Sequence, residues 1–158
     1  GFLFVNGIAI ESGLVPDEYL KPIMERLEAR RKEVGFTDFS LGLPGNLIPV
    51  RREDYALNAF GSPQKEDGSD TFGTYENGGA TMSQAYHYLR ALSISGIEGV
   101  EELEDQILDS FENGGTYGGM GSGLDWKDRN GKPCGYEGML SDQFYVLLAI
   151  ARNRGYVV

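Results

Sequence analysis

The chain has 158 residues, 41% of them hydrophobic, which is enough for one domain with a single core. Its formal net charge of -10 argues against binding to a nucleic-acid backbone, which needs clustered Lys and Arg. No apolar run is long enough to span a membrane. Cys134 is the only cysteine, so neither an intrachain disulfide nor a thiolate metal cluster is expected.

The first segment, residues 2–11, is apolar on nearly every side. Asn6-Gly7 between two apolar runs is the strongest short signal for a β-hairpin. A fully buried helix gives the same pattern, because periodicity does not separate the two structures in so short a run. Local rules leave both alternatives open.

The second segment has the features of a helix start, with Pro16 followed by Asp17 and Glu18. Apolar residues then repeat at helical spacing, with charged residues on the opposite face. Pro22 predicts a kink or a restart of this helix, and Gly35 predicts its end.

Three more helices are predicted further along the chain. Residues 80–94 are apolar on all sides, residues 97–113 have one apolar face, and residues 141–152 contain an uninterrupted apolar run. Ser95-Gly96 is predicted to break the chain between the first two of these helices.

The predicted helices alternate between buried and one-faced, as two concentric layers of helical hairpins require. Both long connections, residues 36–78 and 114–138, lead into the N-termini of buried helices. The second connection holds nine of the 23 glycines. Long loops that converge on one end of a rigid scaffold commonly carry binding and catalysis.

A family resemblance begins at Tyr75-Glu76-Asn77-Gly78-Gly79. This turn, leading into an apolar segment, is similar to the Tyr-x-Asn-Gly-Gly turn of many six-hairpin glycosidases. Residues 4–14 resemble their late inner-to-outer hairpin. Residues 122–138 resemble the last active-site loop before the final inner helix.

The resemblance covers nearly the whole chain but only the last two and a half of six hairpins. It implies an all-α fold, a partial (α/α) toroid with room for short β-hairpins in its loops, and a helix at residues 2–11. Residues 1–158 would form one domain, the C-terminal part of a larger catalytic domain. Ala80-Thr81-Met82 departs from the family pattern, in which aromatic residues commonly follow the turn.

Glycoside hydrolysis needs two carboxyl groups on opposite sides of the scissile bond. The resemblance suggests Asp125 as the catalytic base or as a ligand to sugar hydroxyls, and the neighbouring Trp126 could stack on a sugar ring. The alternative is a surface Asp with Trp126 packed under the loop. The earlier hairpins, which usually supply the general acid, are not in this chain, so we expect it to be inactive alone.

Glu76 and Glu137 are the other two candidate catalytic carboxylates. Each is expected just before a buried helix, where the helix N-terminus stabilises a negative charge and favours a base over an acid. For Glu76 the alternative is simple helix capping, which Asn77 could equally provide. The predicted sugar-binding side chains are Trp126, Tyr75, Asn77 and Tyr136.

Asp128, Asn130 and Glu137 fall at ligand positions of an EF-hand, but Trp126 would occupy the first ligand position and does not bind calcium. We therefore expect no cofactor, with a looser calcium site in a loop as the alternative. His87, on a helix that is apolar all round, is expected to be a core or interhelical hydrogen-bonding residue.

Three functions follow, in order of preference. The first is an oligosaccharide-binding part of a glycoside hydrolase. The second is a non-catalytic module that binds sugar or calcium. The third is a helical interaction domain, because a partial toroid exposes apolar inner faces that favour self-association. Neither nucleic acid nor membrane is an expected partner.

Overall fold

The computed structural model describes residues 2–36, 43–47, 80–81, 85–113, 124–127, 133–137 and 140–156. In these ranges five helices form: α1 (Leu3–Glu11), α2 (Asp17–Glu33), α3 (Ala85–Ile94), α4 (Val100–Glu112) and α5 (Leu140–Asn153). The same ranges contain four short strands: β1 (Leu43–Pro44), β2 (Ala80–Thr81), β3 (Leu124–Lys127) and β4 (Pro133–Glu137). The described part of the chain is mainly helical, which confirms the all-α class. None of the described helices has the length and apolarity needed to cross a membrane.

The first segment is a helix, as the resemblance predicted, and not a hairpin. The Asn6-Gly7 pair lies within α1, while Phe2 forms a bridge to Asn46 just before the helix begins. Gly7 faces the backbone of His87 on α3: a Cβ added at Gly7 would lie 2.8 Å from the carbonyl carbon of His87. Glycine is therefore needed at this position for close helix packing and not for a turn.

Helix α2 runs without interruption through Pro22, which excludes a restart and leaves a kink as the prediction for this proline. Proline removes one hydrogen bond, to the carbonyl four residues earlier. That carbonyl belongs to Glu18, which is exposed like Pro22 itself, so water can satisfy it. Gly35, with a φ of +97°, follows the end of the helix as predicted.

Two predicted helix starts are wrong. Helix α3 begins at Ala85 and not at residue 80, because Ala80–Thr81 is strand β2 and pairs with β1 and β3. Helix α4 begins at Val100 and not at residue 97, because Gly99 precedes it in a left-handed conformation with a φ of +83°. The predicted break at Ser95-Gly96 is confirmed, and Gly96 has a φ of +63°. Residues 51–59, where the sequence pattern indicates a short helical stretch, lie outside the described residues.

Helices α1, α3 and α5 lie side by side in one row, with α3 in the middle. The pairs in contact, in order along the helices, are Gly7 with His87 and Glu11 with Arg90, then Tyr86 with Tyr145 and Arg90 with Asn153. Residue numbers rise together in each pair of helices. The three helices of the row are therefore parallel.

Helices α2 and α4 lie behind this row and also contact α3. Their apolar faces join the row in one core, in which Leu3, Met24, Leu89, Ile107 and Val146 are almost completely buried. Each of the two helices follows a row helix through a short turn, so the chain forms helical hairpins. The predicted alternation of buried and one-faced segments is confirmed for α2, α3 and α4. It is wrong for α1 and α5, which were predicted to be buried, because Val5 is 59% exposed and Phe144 is 61% exposed.

The strands form an antiparallel sheet in the order β1-β2-β3-β4. The sheet lies at the N-terminal end of the row, because β2 precedes α3, β4 precedes α5, and residues beside β1 contact the start of α1. Segments from both long connections therefore meet at one end of the helices.

A buried charged group joins α2 to α3. Arg31 is only 1% exposed and donates two hydrogen bonds to the Glu28 carboxylate, at 2.7 and 2.6 Å. The Tyr88 hydroxyl donates a third to the same carboxylate at 2.8 Å, and Arg31 also donates to the Phe36 carbonyl. Burial, and then the Glu28 charge, raise the pKa of Tyr88, so its hydroxyl remains a donor.

We expect Arg31→Ala to lower the free energy of unfolding by ~3–5 kcal/mol, because it leaves the buried Glu28 charge without its partner. Tyr88→Phe removes one hydrogen bond to the same carboxylate and should cost ~1–3 kcal/mol. Urea denaturation followed by circular dichroism measures both. The control is Arg30→Ala, which breaks a largely exposed pair with Glu33 and should cost under ~1 kcal/mol. Equal effects at Arg30 and Arg31 would contradict this account.

We expect Gly7→Ala to destabilise the protein by ~1–3 kcal/mol, because the new methyl group would overlap the His87 backbone and push α1 from α3. In an exposed helix the same substitution stabilises by roughly 0.5–1 kcal/mol. The direction of the change in melting temperature therefore shows whether α1 packs closely on α3. A more stable variant would rule out the close packing.

Candidate functional site

The β3–β4 hairpin brings four of the predicted site residues onto neighbouring strands. Asp125 and Trp126 lie on β3, and Tyr136 and Glu137 lie on β4. The backbone of this hairpin thus carries two of the three candidate carboxylate residues and two of the candidate sugar-binding aromatic residues. Asp125 was expected in a glycine-rich turn, and it lies instead in a strand.

The hairpin contains an irregularity at this point. Trp126 pairs with Cys134, and Leu124 pairs with Glu137, so three residues of β3 span the same distance as four residues of β4. Such bulges bend a strand and recur beside active sites. Asp125 lies inside the irregular stretch, between the two paired positions.

The remaining predicted residues are placed differently. Tyr75, Glu76 and Asn77 lie outside the described residues. The expectation that Glu76 immediately precedes a buried helix is wrong, because β2 intervenes and α3 begins only at Ala85. The stabilisation of the Glu76 charge and the helix capping by Glu76 or Asn77 were both expected from an adjacent helix N-terminus. Glu137, as expected, closely precedes its helix, since α5 begins at Leu140.

The calcium alternative gains no support from the described part of the chain. Asp128 and Asn130 lie outside it. Within it, no group of three or more His, Cys, Asp or Glu side chains is arranged to hold a metal ion.

A polar network on the row of α1, α3 and α5 was not predicted as a unit. His87 Nδ1 lies 2.5 Å from Glu11 Oε2, and Arg90 Nε lies 3.7 Å from Glu11 Oε1. Arg152 donates a hydrogen bond to the Tyr86 hydroxyl. Burial, and then the hydrogen bond with Glu11, raise the pKa of Tyr86. His87 is therefore an interhelical hydrogen-bonding residue, as expected.

Aromatic rings cross the same row. Edge-to-face contacts join Phe4 to His87 at 5.6 Å between centroids, His87 to Tyr86 at 4.8 Å, and Tyr86 to Tyr145 at 5.8 Å. The only sequence signal was the Tyr86-His87 pair in an apolar helix. Its partners on α1 and α5 are far away in the chain, so local patterns do not identify them.

A second group of polar side chains connects the helices at the end opposite the sheet. Asn153, at the end of α5, donates to Glu104 on α4 at 2.8 Å and to the Leu89 carbonyl on α3 at 3.2 Å, and it accepts from Arg90 at 2.6 Å. Arg154 donates to the buried Glu104 carboxylate at 2.9 Å. Hydrogen bonds to Asp105 and then Glu104 raise the pKa of Arg154. These contacts link α3, α4 and α5, and we name this group the Asn153 anchor (Asn153, Arg154, Glu104 and the Leu89 carbonyl).

The comparisons with known proteins identify no relative. No protein-family model, curated protein or solved structure matches the chain. Evidence on function therefore comes from the residues and their arrangement alone.

Asn153→Ala should lower stability by ~1–3 kcal/mol, because Glu104 and Arg90 lose hydrogen-bond partners. The matched control is Asn113→Ala, since Asn113 is exposed and its side-chain amide donates a hydrogen bond to Asp109, one helical turn earlier. We expect the control to change the midpoint of urea unfolding little. Equal losses in the two variants would show that the anchor contributes nothing.

Proposed function

We propose that this chain is part of a carbohydrate-active (α/α) toroid, a glycoside hydrolase that acts on an oligosaccharide at the sheet end of the row. The parallel row with α2 and α4 behind it supports this proposal, because a toroid consists of such hairpins in two layers. The sequence turns that resemble six-hairpin glycosidases support it independently.

The observation that carries the proposal is the β3–β4 hairpin. Its two strands carry Asp125, Trp126, Tyr136 and Glu137 in their backbone, at the N-terminal end of α1, α3 and α5. Sugars combine apolar C–H faces with hydroxyl groups, so they are bound by aromatic rings beside carboxylates. No other described segment combines these residue types on adjacent strands.

Within this proposal Asp125 acts as the catalytic base or accepts hydrogen bonds from sugar hydroxyls, and Glu137 fills the other of these two roles. Trp126 and Tyr136 stack on or hydrogen-bond to the sugar. Glu76, with Tyr75 and Asn77, stays a candidate on the resemblance alone. Because hydrolysis also needs a protonated carboxyl group on the other side of the bond, the chain alone should bind sugar without cleaving it.

Isothermal titration of the chain with a panel of neutral oligosaccharides tests the proposal. We expect binding by the wild-type chain, a loss of at least ~10-fold in affinity for Asp125→Asn and for Trp126→Ala, corresponding to about 1.4 kcal/mol each, and a similar loss for Glu137→Gln. Glu102→Gln is the control, because Glu102 is exposed on α4, away from the sheet.

No binding by the wild-type chain, or equal binding by all the variants, would overturn the assignment. The titration is repeated with a chelator. Loss of binding in chelator would favour the calcium-binding module over a metal-free glycosidase site.

A further inference from the structure

One side of the row faces away from α2 and α4, and we name it the front face. On α3, Tyr88 points to Glu28 on α2, and Arg90 is rotated by about 200° from Tyr88, which places it on the opposite side. His87 and Arg90 are partly exposed, whereas Tyr88 is buried. All three row helices contribute side chains to the front face, which consists of Glu11, Tyr86, His87, Arg90, Tyr145 and Arg152.

Further hairpins of the proposed toroid would leave the front face uncovered. Such hairpins continue the row beside α1 and beside α5. The front face, on the side opposite α2 and α4, then looks toward the central axis of the toroid, where a ligand can reach it.

The charge of the front face is opposite to that of the whole chain. The chain has a formal net charge of -10. Among the described side chains of the three row helices, however, the permanently charged groups are two arginines and one carboxylate, Glu11. Arg90 Nε lies 3.7 Å from the Glu11 carboxylate and His87 Nδ1 lies 2.5 Å from it. The Glu11 charge is therefore balanced within the face, and Arg152 gives the face an excess positive charge.

Arg152 is held in place without a counter-charge. It is exposed, it donates a hydrogen bond to the Tyr86 hydroxyl, and its guanidinium carbon lies 6.0 Å from the centre of the Tyr86 ring. Burial and the hydrogen bond with Glu11 raise the pKa of Tyr86, so this hydroxyl is neutral at pH 7. The ion pairs among the described residues do not include Arg152. A guanidinium oriented in this way fits a carboxylate on a ligand, because its planar N–H groups match the two carboxylate oxygens.

Tyr145 adds an aromatic surface next to this arginine. It is 55% exposed, and its ring centre lies 5.8 Å from the centre of the Tyr86 ring. Tyr145 and Arg152 thus flank the same ring and belong to one surface. Since sugars pack their C–H faces on aromatic rings, an exposed tyrosine beside an unpaired arginine suits a sugar that carries a carboxylate.

On the basis of the proposed function, we propose that the front face binds an acidic oligosaccharide, with the carboxylate of a uronic acid unit on Arg152 and a sugar ring stacked on Tyr145. The substrate of the proposed hydrolase is thereby narrowed from oligosaccharides in general to those that contain uronic acid units. The β3–β4 hairpin and the front face then contact different parts of one sugar chain.

Isothermal titration with oligogalacturonides and oligoglucuronides, each compared with its methyl ester, tests the proposal. The ester keeps the sugar rings and removes the charge. We expect the wild-type chain to bind at least one of these acids ~10-fold or more tightly than its ester. The difference should shrink as the salt concentration rises, because the ion pair is exposed to solvent.

Two substitutions separate the charge from the aromatic surface. Arg152→Gln should abolish the preference for the acid and leave the affinity for the ester unchanged. Tyr145→Ala should weaken the binding of acid and ester by a similar factor. The controls lie on α2: Arg26→Gln removes an exposed arginine, and Tyr19→Ala removes a tyrosine that is also 55% exposed. Both controls should bind like the wild-type chain, and circular dichroism should show the same fold in all variants.

Equal affinity for acid and ester, or a preference that survives in Arg152→Gln, would overturn the proposal. Inorganic phosphate that competes as strongly as the acid would overturn it as well, because it would show a general anion site. Binding of the esters without a preference for the acids defeats this proposal alone. A preference that depends on Arg152 but not on Trp126 defeats only the assignment of sugar binding to the hairpin.

Discussion

The burial of α3 on several sides at once is the constraint on which the rest of the structure depends. Its side chains meet α1, α2 and α5 directly, and its Leu89 carbonyl reaches the anchor shared with α4. A helix that is apolar all round is stable only when other elements cover it. The close approach at Gly7, where no side chain intervenes, and the buried Glu28–Arg31 pair fix two of these neighbours in position.

Polar groups inside this arrangement contribute more to the specificity of helix packing than to its stability. A buried ion pair gains little over apolar packing, but losing one partner is costly, so misplaced helices are penalised. Tyr88 has to meet Glu28, and Asn153 has to meet Glu104 and the Leu89 carbonyl. These requirements select one position of α2 and α4 along the row helices that they contact.

The two ends of the row differ in the segments that they carry. One end carries the sheet built from the long connections, with the proposed sugar-binding hairpin. The other carries the Asn153 anchor and the short turns, which hold the helices in place. A rigid end opposite a loop-bearing end is the arrangement in which loops vary in function while the scaffold remains.

Local sequence determined where most helices lie, that α3 is buried while α2 and α4 have one apolar face, and where Gly35 and Gly96 end helices, because these properties depend on neighbouring residues. It also grouped Asp125, Trp126, Tyr136 and Glu137 in one loop. Only the tertiary structure decided that residues 80–81 form a strand, that Asp125 lies in a strand beside an irregular pairing, and that Asn6-Gly7 lies within a helix. These outcomes depend on contacts between residues far apart in the chain, as do the partners of His87 and Tyr88, and such contacts exist only once the helices have packed.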